Sequence, residues 1–328
     1  MAGAAAGLAV ALTSGGSPSL PSTTLQVQFT PWSLAFSPDG SLLAIAGGYP
    51  GGVSGEVELL NVATGKIAAD WRLPEATEVH AVAFSPDGKT LVTGDDKGVT
   101  TVWEVATRRI AATLTTQAGT SDKLPPNPVS AVAFRPGGAV LATGDEGDAT
   151  LWTVATGRVA ARLGTPPFMT VFALAFSPDG GTLAADELDV APHGAVQLWD
   201  VRSGNPRLSH DVTANDPHSV AFSPDGAVLA TGDGDGAALW DAATGRPLAK
   251  LAAASPPVSA VAFSPDGKTL AAGGASGITT VWDIATHRII DTLTGQARAV
   301  QSAAFSPNGT LLATSSYDDT VRLWRTGS

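Results

Sequence analysis

The chain has 328 residues, 44% of them hydrophobic and 15% charged, with a net charge of −11 and no cysteine. That supports a large core and argues against a general nucleic-acid binder or a protein drawn to anionic lipid, since both need a basic footprint. Disulfides, thiolate metal sites and a cysteine nucleophile are excluded, and the 37 glycines and 23 prolines suit a chain with many tight turns.

No residue before Asp39 is charged. Residues 2–12, AGAAAGLAVAL, are apolar but too short to span a bilayer. They also lack the basic start and the A-x-A site of a signal peptide. Two readings stay open: a disordered Ala/Gly leader, or the end of a membrane segment that begins upstream. Residues 14–24, SGGSPSLPSTT, read as a flexible linker. Residues 1–23 are therefore assigned to a leader and linker, and 24–328 to a single domain. The compartment stays open between a cytoplasmic protein and one exported or tethered through its apolar start.

From residue 34 onward one pattern recurs seven times, as LAFSPDG, VAFSPDG, VAFRPGG, LAFSPDG, VAFSPDG, VAFSPDG and AAFSPNG. Its phenylalanines are Phe36, Phe84, Phe134, Phe176, Phe222, Phe263 and Phe305, a period that marks a repeat architecture. Each unit reads as four short strands, which in the second unit are 79–84, 90–95, 99–105 and 109–115. The third strand carries a tryptophan in six units, Trp103, Trp152, Trp199, Trp240, Trp282 and Trp324, with Leu60 in the remaining one. These tryptophans are expected to pack in the core; Trp32 and Trp71 are off the pattern, and core and surface roles stay open for them.

Trp-Asp stands at Trp199–Asp200, Trp240–Asp241 and Trp282–Asp283. With the AFSPDG and LWD repeats in phase, the chain resembles the WD-repeat family of β-propellers, of the bacterial type, over about residues 24–328. The resemblance implies an all-β, seven-bladed β-propeller of four-stranded antiparallel blades around a central channel. The last unit supplies only three strands, and TLQVQF (24–29) lies where every other unit has an outer strand. This N-terminal strand is predicted to complete the last blade and close the ring. The family's usual Gly-His before the inner strand is missing, GQ (295–296) and PE (74–75) standing in its place, and Asp318 alone matches its loop aspartate. The network of buried hydrogen bonds that these residues form in the family is therefore expected to be absent or incomplete.

Ser-Pro-Asp-Gly suits a type I turn followed by a left-handed glycine. A catalytic reading would make Ser85 or Ser264 a nucleophile, yet no histidine accompanies these serines at a fixed offset, and the third copy replaces both serine and aspartate with Arg135 and Gly137. No catalytic, cofactor-binding or metal residue is assigned: the histidines lack zinc-site spacing, and GDGDG (232–236) lacks the later ligands of a calcium loop.

In a propeller the loops between second and third strands share a face with the connections between blades. That plan gathers Asp95, Asp96, Asp145, Glu146, Asp148, Asp186, Glu187, Asp189, Asp233, Asp235, Asp318 and Asp319, together with the long segments 47–55, 116–130 and 186–194. Lys66, Arg108, Arg109, Arg158, Arg246 and Arg288 favour the opposite side. Turn positions favour aspartate without any function. The sharper reading is a non-catalytic scaffold, expected to be monomeric, whose acidic face binds a protein or peptide with a basic or polar segment; no nucleic acid, cofactor or membrane insertion by the propeller is expected. The alternatives are a sensor or regulatory domain of a larger membrane-tethered, kinase-linked protein and, more distantly, a propeller hydrolase.

Overall fold

In a computed structural model of the chain, the described residues are 10–11, 22–49, 54–73, 78–115, 127–164, 170–188, 194–212, 218–252 and 255–326. They form seven antiparallel sheets. Blade 1 runs from an inner strand, Thr30–Phe36, through Leu42–Gly48 and Gly55–Asn61 to an outer strand, Lys66–Leu73. Blade 2 repeats this as Val79–Phe84, Thr90–Asp95, Val99–Glu104 and Arg109–Thr115. Blades 3 to 6 occupy 131–164, 170–212, 219–251 and 258–293.

Blade 7 is composed of both ends of the described chain. Val300–Phe305, Leu311–Ser316 and Thr320–Arg325 receive Ser22–Gln26 as their outer strand, in antiparallel register from Ser22 opposite Trp324 to Gln26 opposite Thr320. The expected closing strand is present, shifted toward the N-terminus relative to 24–29. Beyond Gln26 the Val27 N–H donates to the Asp319 carbonyl at 3.0 Å, and Val27 and Phe29 are buried as the chain crosses into blade 1. Val10–Ala11 pairs outside Thr24 and Leu25 as a short fifth strand.

Seven hydrophobic clusters match the seven seams between blades. Trp103 of blade 2 packs with Leu59 and Trp71 of blade 1, while Leu60 of blade 1 packs with Leu25, Val27 and Leu323 across the closing seam. The third-strand tryptophan, or Leu60, thus faces the preceding blade. Trp71, open at the sequence level, belongs to this core: it is 7% exposed and stacks on Trp103 at 5.4 Å.

Alternation along the second strands explains the recurrent Thr-Gly. A Cβ on Gly94 would lie 2.5 Å from Val129 Cγ1 and 2.9 Å from the Val129 carbonyl oxygen, so the next blade passes too closely for any side chain. The threonine one residue earlier accepts the indole N–H: Trp103 to Thr93 at 3.1 Å, Trp152 to Thr143 at 2.9 Å, Trp240 to Thr231 at 3.0 Å and Trp324 to Thr314 at 3.0 Å. In blade 7 a third member joins, because Thr314 Oγ1 donates to Gln296 Oε1 at 2.9 Å. The expected incomplete network is thus a Trp–Thr pair in four blades, extended in the last by a glutamine where the family has histidine. Blade 4 has Ala185 at the threonine position, and the Trp199 indole N–H finds no acceptor.

Candidate interaction face and channel

The Ser-Pro-Asp-Gly hydroxyls are fully committed to turn geometry. Ser85 Oγ donates to Asp87 Oδ1 at 2.7 Å and accepts the Thr90 N–H at 3.0 Å, while Gly88 takes a φ of 69°. The same set recurs at Ser37, Ser177, Ser223 and Ser264, and at Ser306 with Asn308 for the acid. The serine bond, joined by backbone N–H groups, lowers the pKa of Asp39, Asp87, Asp179, Asp225 and Asp266. The deviant third copy has its own use: Arg135 Nε reaches across the seam and donates to the Gly180 carbonyl at 2.8 Å.

First strands begin where second strands end, as Thr30 opposite Gly48 shows. The starts of the seven inner strands therefore share one face with the loops that carry the candidate carboxylates. Those carboxylates fall into two groups. Asp95, Asp145 and Asp233 are buried, at 4%, 7% and 4% exposure, and their oxygens cap their own turns. Asp95 Oδ1 accepts the N–H groups of Lys97 and Val99, Asp233 Oδ1 those of Asp235 and Gly236, and Asp145 Oδ1 that of Asp148. Burial raises the pKa of Asp95 and Asp233 despite these bonds. Asp186 is fully buried in the second strand of blade 4.

Solvent reaches the second group: Asp96, Glu146, Asp148, Asp235, Asp318 and Asp319. Asp319 Oδ1 accepts the Thr30 hydroxyl at 2.8 Å, tying this rim to the closing seam. Glu187 lies on the same second strand as Asp186, and Asp189 lies outside the described residues, as do 50–53, 116–126 and 190–193 of the long loops. The opposite face is mixed rather than basic. Its arginines and lysines sit among the five turn aspartates and Asp200, Asp241 and Asp283, which follow or end third strands.

Four residues before each repeat phenylalanine lies a position that the sequence reading passed over. It holds Trp32, His80, Ser130, Phe172, His218, Ser259 and Gln301, a different environment in nearly every blade. All seven line an axial cavity of 240 Å³. Trp32 stands 6.0 Å from His80 and edge-on to Tyr317 at 5.0 Å, and Phe172 is edge-on to His218 at 5.6 Å. Phe172 and Tyr317 are 37% and 40% exposed, and the Trp32 indole N–H has no acceptor. Directly inward, serines join neighbouring inner strands: the Val82 N–H donates to Ser33 Oγ at 3.2 Å and the Val261 N–H to Ser219 Oγ at 3.0 Å. Among the described residues no group of three or more His, Asp or Glu is arranged to hold a metal ion, and no helix is long and apolar enough to cross a membrane.

This ring of four-stranded sheets is a seven-bladed β-propeller. Residues 72–104, 207–241, 245–283 and 287–325 match the WD domain, G-beta repeat (WD40) family. Each match starts in or just before the outer strand of one blade and ends with the third strand of the next, the offset that closure by Ser22–Gln26 demands. Over 162 residues the chain is 27% identical to a periodic tryptophan protein 2 homolog of Dictyostelium discoideum. That match covers 48% of this chain and 16% of the relative.

Proposed function

We propose that this propeller is a non-catalytic scaffold that binds a basic or polar protein segment across the acidic loop face, seated over the channel mouth. The observation that carries the reading is the register position of Trp32, His80, Phe172 and His218. A repeat that keeps its turns and third-strand tryptophans nearly constant varies at a position that lines the axis, on the face rimmed by solvent-accessible carboxylates. Aromatic rings beside carboxylates suit a cationic side chain, through cation–π attraction to a ring face and charge together. The four stretches that match the WD domain, G-beta repeat family support an interaction role in general.

Charge reversal must spare the buried caps, since Asp95→Lys or Asp233→Lys would break turns and test folding instead. The informative variant is Asp96→Lys with Asp235→Lys, alongside Trp32→Ala. Affinity purification with mass spectrometry should enrich the same partner with the intact chain and lose it with both variants. Equal enrichment from all three proteins would refute the reading. A single ring of this kind is expected to run as a monomer in sizing with light scattering.

A further inference from the structure

The seventh copy of the turn reads Ser-Pro-Asn-Gly, and Asn308–Gly309 is the one Asn-Gly pair in the chain. Asparagine followed by glycine is the dipeptide most prone to close a succinimide, because no Cβ on the second residue hinders the approach of its nitrogen. Five of the other turns hold Asp39, Asp87, Asp179, Asp225 and Asp266 at this place, and the third holds Gly137. Asn308 is exposed, so water reaches its side chain.

The folded turn engages both groups that would react. Asn308 Oδ1 accepts the Ser306 hydroxyl at 2.8 Å, the Thr310 N–H at 3.1 Å and the Thr310 hydroxyl at 2.8 Å. The Gly309 N–H donates to the Ser306 carbonyl at 2.8 Å, and Gly309 takes a φ of 70°. A further bond is particular to this copy. In blades 1 to 6 the residue that donates its N–H back to the position just before the second strand is Val62, Val105, Val154, Val201, Ala242 or Ile284, none with a hydroxyl. In blade 7 it is Thr326, whose N–H donates to the Thr310 carbonyl at 3.1 Å and whose hydroxyl donates to the Gly309 carbonyl. Thr326 thus grips the carbonyls of both residues that follow Asn308.

We infer that Asn308 is a self-modification site: it deamidates through a succinimide, at a rate set by the closed turn of blade 7 and its Thr326 clamp. The Gly309 nitrogen attacks Asn308 Cγ and loses its proton to solvent; the N–Cγ bond forms, the Cγ–Nδ2 bond breaks, and ammonia leaves. Water then opens the ring. Cleavage of the new N–Cγ bond leaves aspartate, and cleavage at the main-chain carbonyl leaves isoaspartate. Attack requires Asn308 Cγ to swing onto the Gly309 nitrogen, so the bonds from Ser306, Thr310 and Thr326 must open first. Opening is fast beside the chemistry, and the rate therefore follows the equilibrium population of the open turn. The two products differ in effect. Aspartate restores the acceptor set that Ser85 and Lys89 offer to Asp87, with charge strengthening each bond. Isoaspartate lengthens the main chain by one atom, and the hairpin of Val300–Phe305 and Leu311–Ser316 loses its turn. The site lies on the face opposite the channel mouth, so its fate is independent of the function proposed above.

The test incubates the full chain in neutral buffer, with and without concentrated urea, and follows the tryptic peptide 299–322 by liquid chromatography and mass spectrometry. Conversion of Asn308 to aspartate and isoaspartate is expected in urea, and to run at least about tenfold slower in the folded ring. Thr326→Val supplies the residue type of the other blades and removes the hydroxyl clamp. It should speed conversion in the folded ring about fivefold, the population shift that loss of one hydrogen bond brings, and leave the rate in urea unchanged. Ser306→Ala opens the turn from its other side and should act in the same direction. A melting curve like the parent's shows that each variant is folded, so that faster conversion reports the turn and not the whole ring. Equal rates with and without urea, no conversion in urea, or a folded-state rate indifferent to both variants overturns the inference.

Discussion

Glu58→Gln should stabilise the ring at neutral pH and do nothing at acid pH. Glu58 lies two residues before Leu60 on the strand face that packs against blade 7, with one carboxylate oxygen buried and unpartnered. Burial, with Glu56 and Asp70 adding repulsion, pushes its pKa from 4.5 up to about 7. Since the folded pKa exceeds the unfolded one, the folded protein holds this proton over a range where the unfolded chain has lost it. Stability from this group is therefore fullest below the unfolded pKa and falls as pH rises toward and through 7. At about 1.4 kcal/mol per unit the shift has a ceiling of roughly 3.4 kcal/mol; residual solvent contact reduces the expectation to about 2 kcal/mol. Urea unfolding followed by tryptophan fluorescence at pH 4.5, 6 and 8 reads the difference between variant and parent. It should grow from near zero to about 2 kcal/mol. A difference that is constant with pH would refute the reasoning, because removing a charge cannot act where the charge is already absent.

Two further substitutions probe the seams. Gly94→Ala forces Val129 and its backbone to move, and should lower stability by about 1–3 kcal/mol in the same urea assay, the usual cost of overpacking. Ala185→Thr places in blade 4 the hydroxyl that blades 2, 3, 5 and 7 already have, giving the Trp199 indole N–H an acceptor. A gain of about 1 kcal/mol is expected, and the same change in a Trp199→Phe background should gain nothing.

Much of the fold was legible because a repeat states its rules seven times. The phase of Phe84 and its counterparts gave strand order, turn position and the need for a closing strand. Phase also marked which loops share a face, but not which of their carboxylates solvent reaches. Asp95 and Asp96 are adjacent in sequence, yet one is a buried turn cap and the other faces water, a difference set by strand alternation at a bulged end. The channel residues were missed for the opposite reason. His80 and His218 looked scattered because they were read as possible metal ligands, whereas counting back four residues from each phenylalanine puts both on the axis.

The pairing of Ser22 with Trp324 also sets the order of events during synthesis. Ser22–Gln26 leaves the ribosome some three hundred residues before its partner strand, Thr320–Arg325. Until then six blades can stack, but two sheet faces and an unpaired strand stay open to the cell. Loop-closure entropy rises only slowly with length, so the delay costs the finished ring little stability. Its cost is in time, because the contact of highest sequence separation closes last and the exposed arc must be protected from aggregation meanwhile.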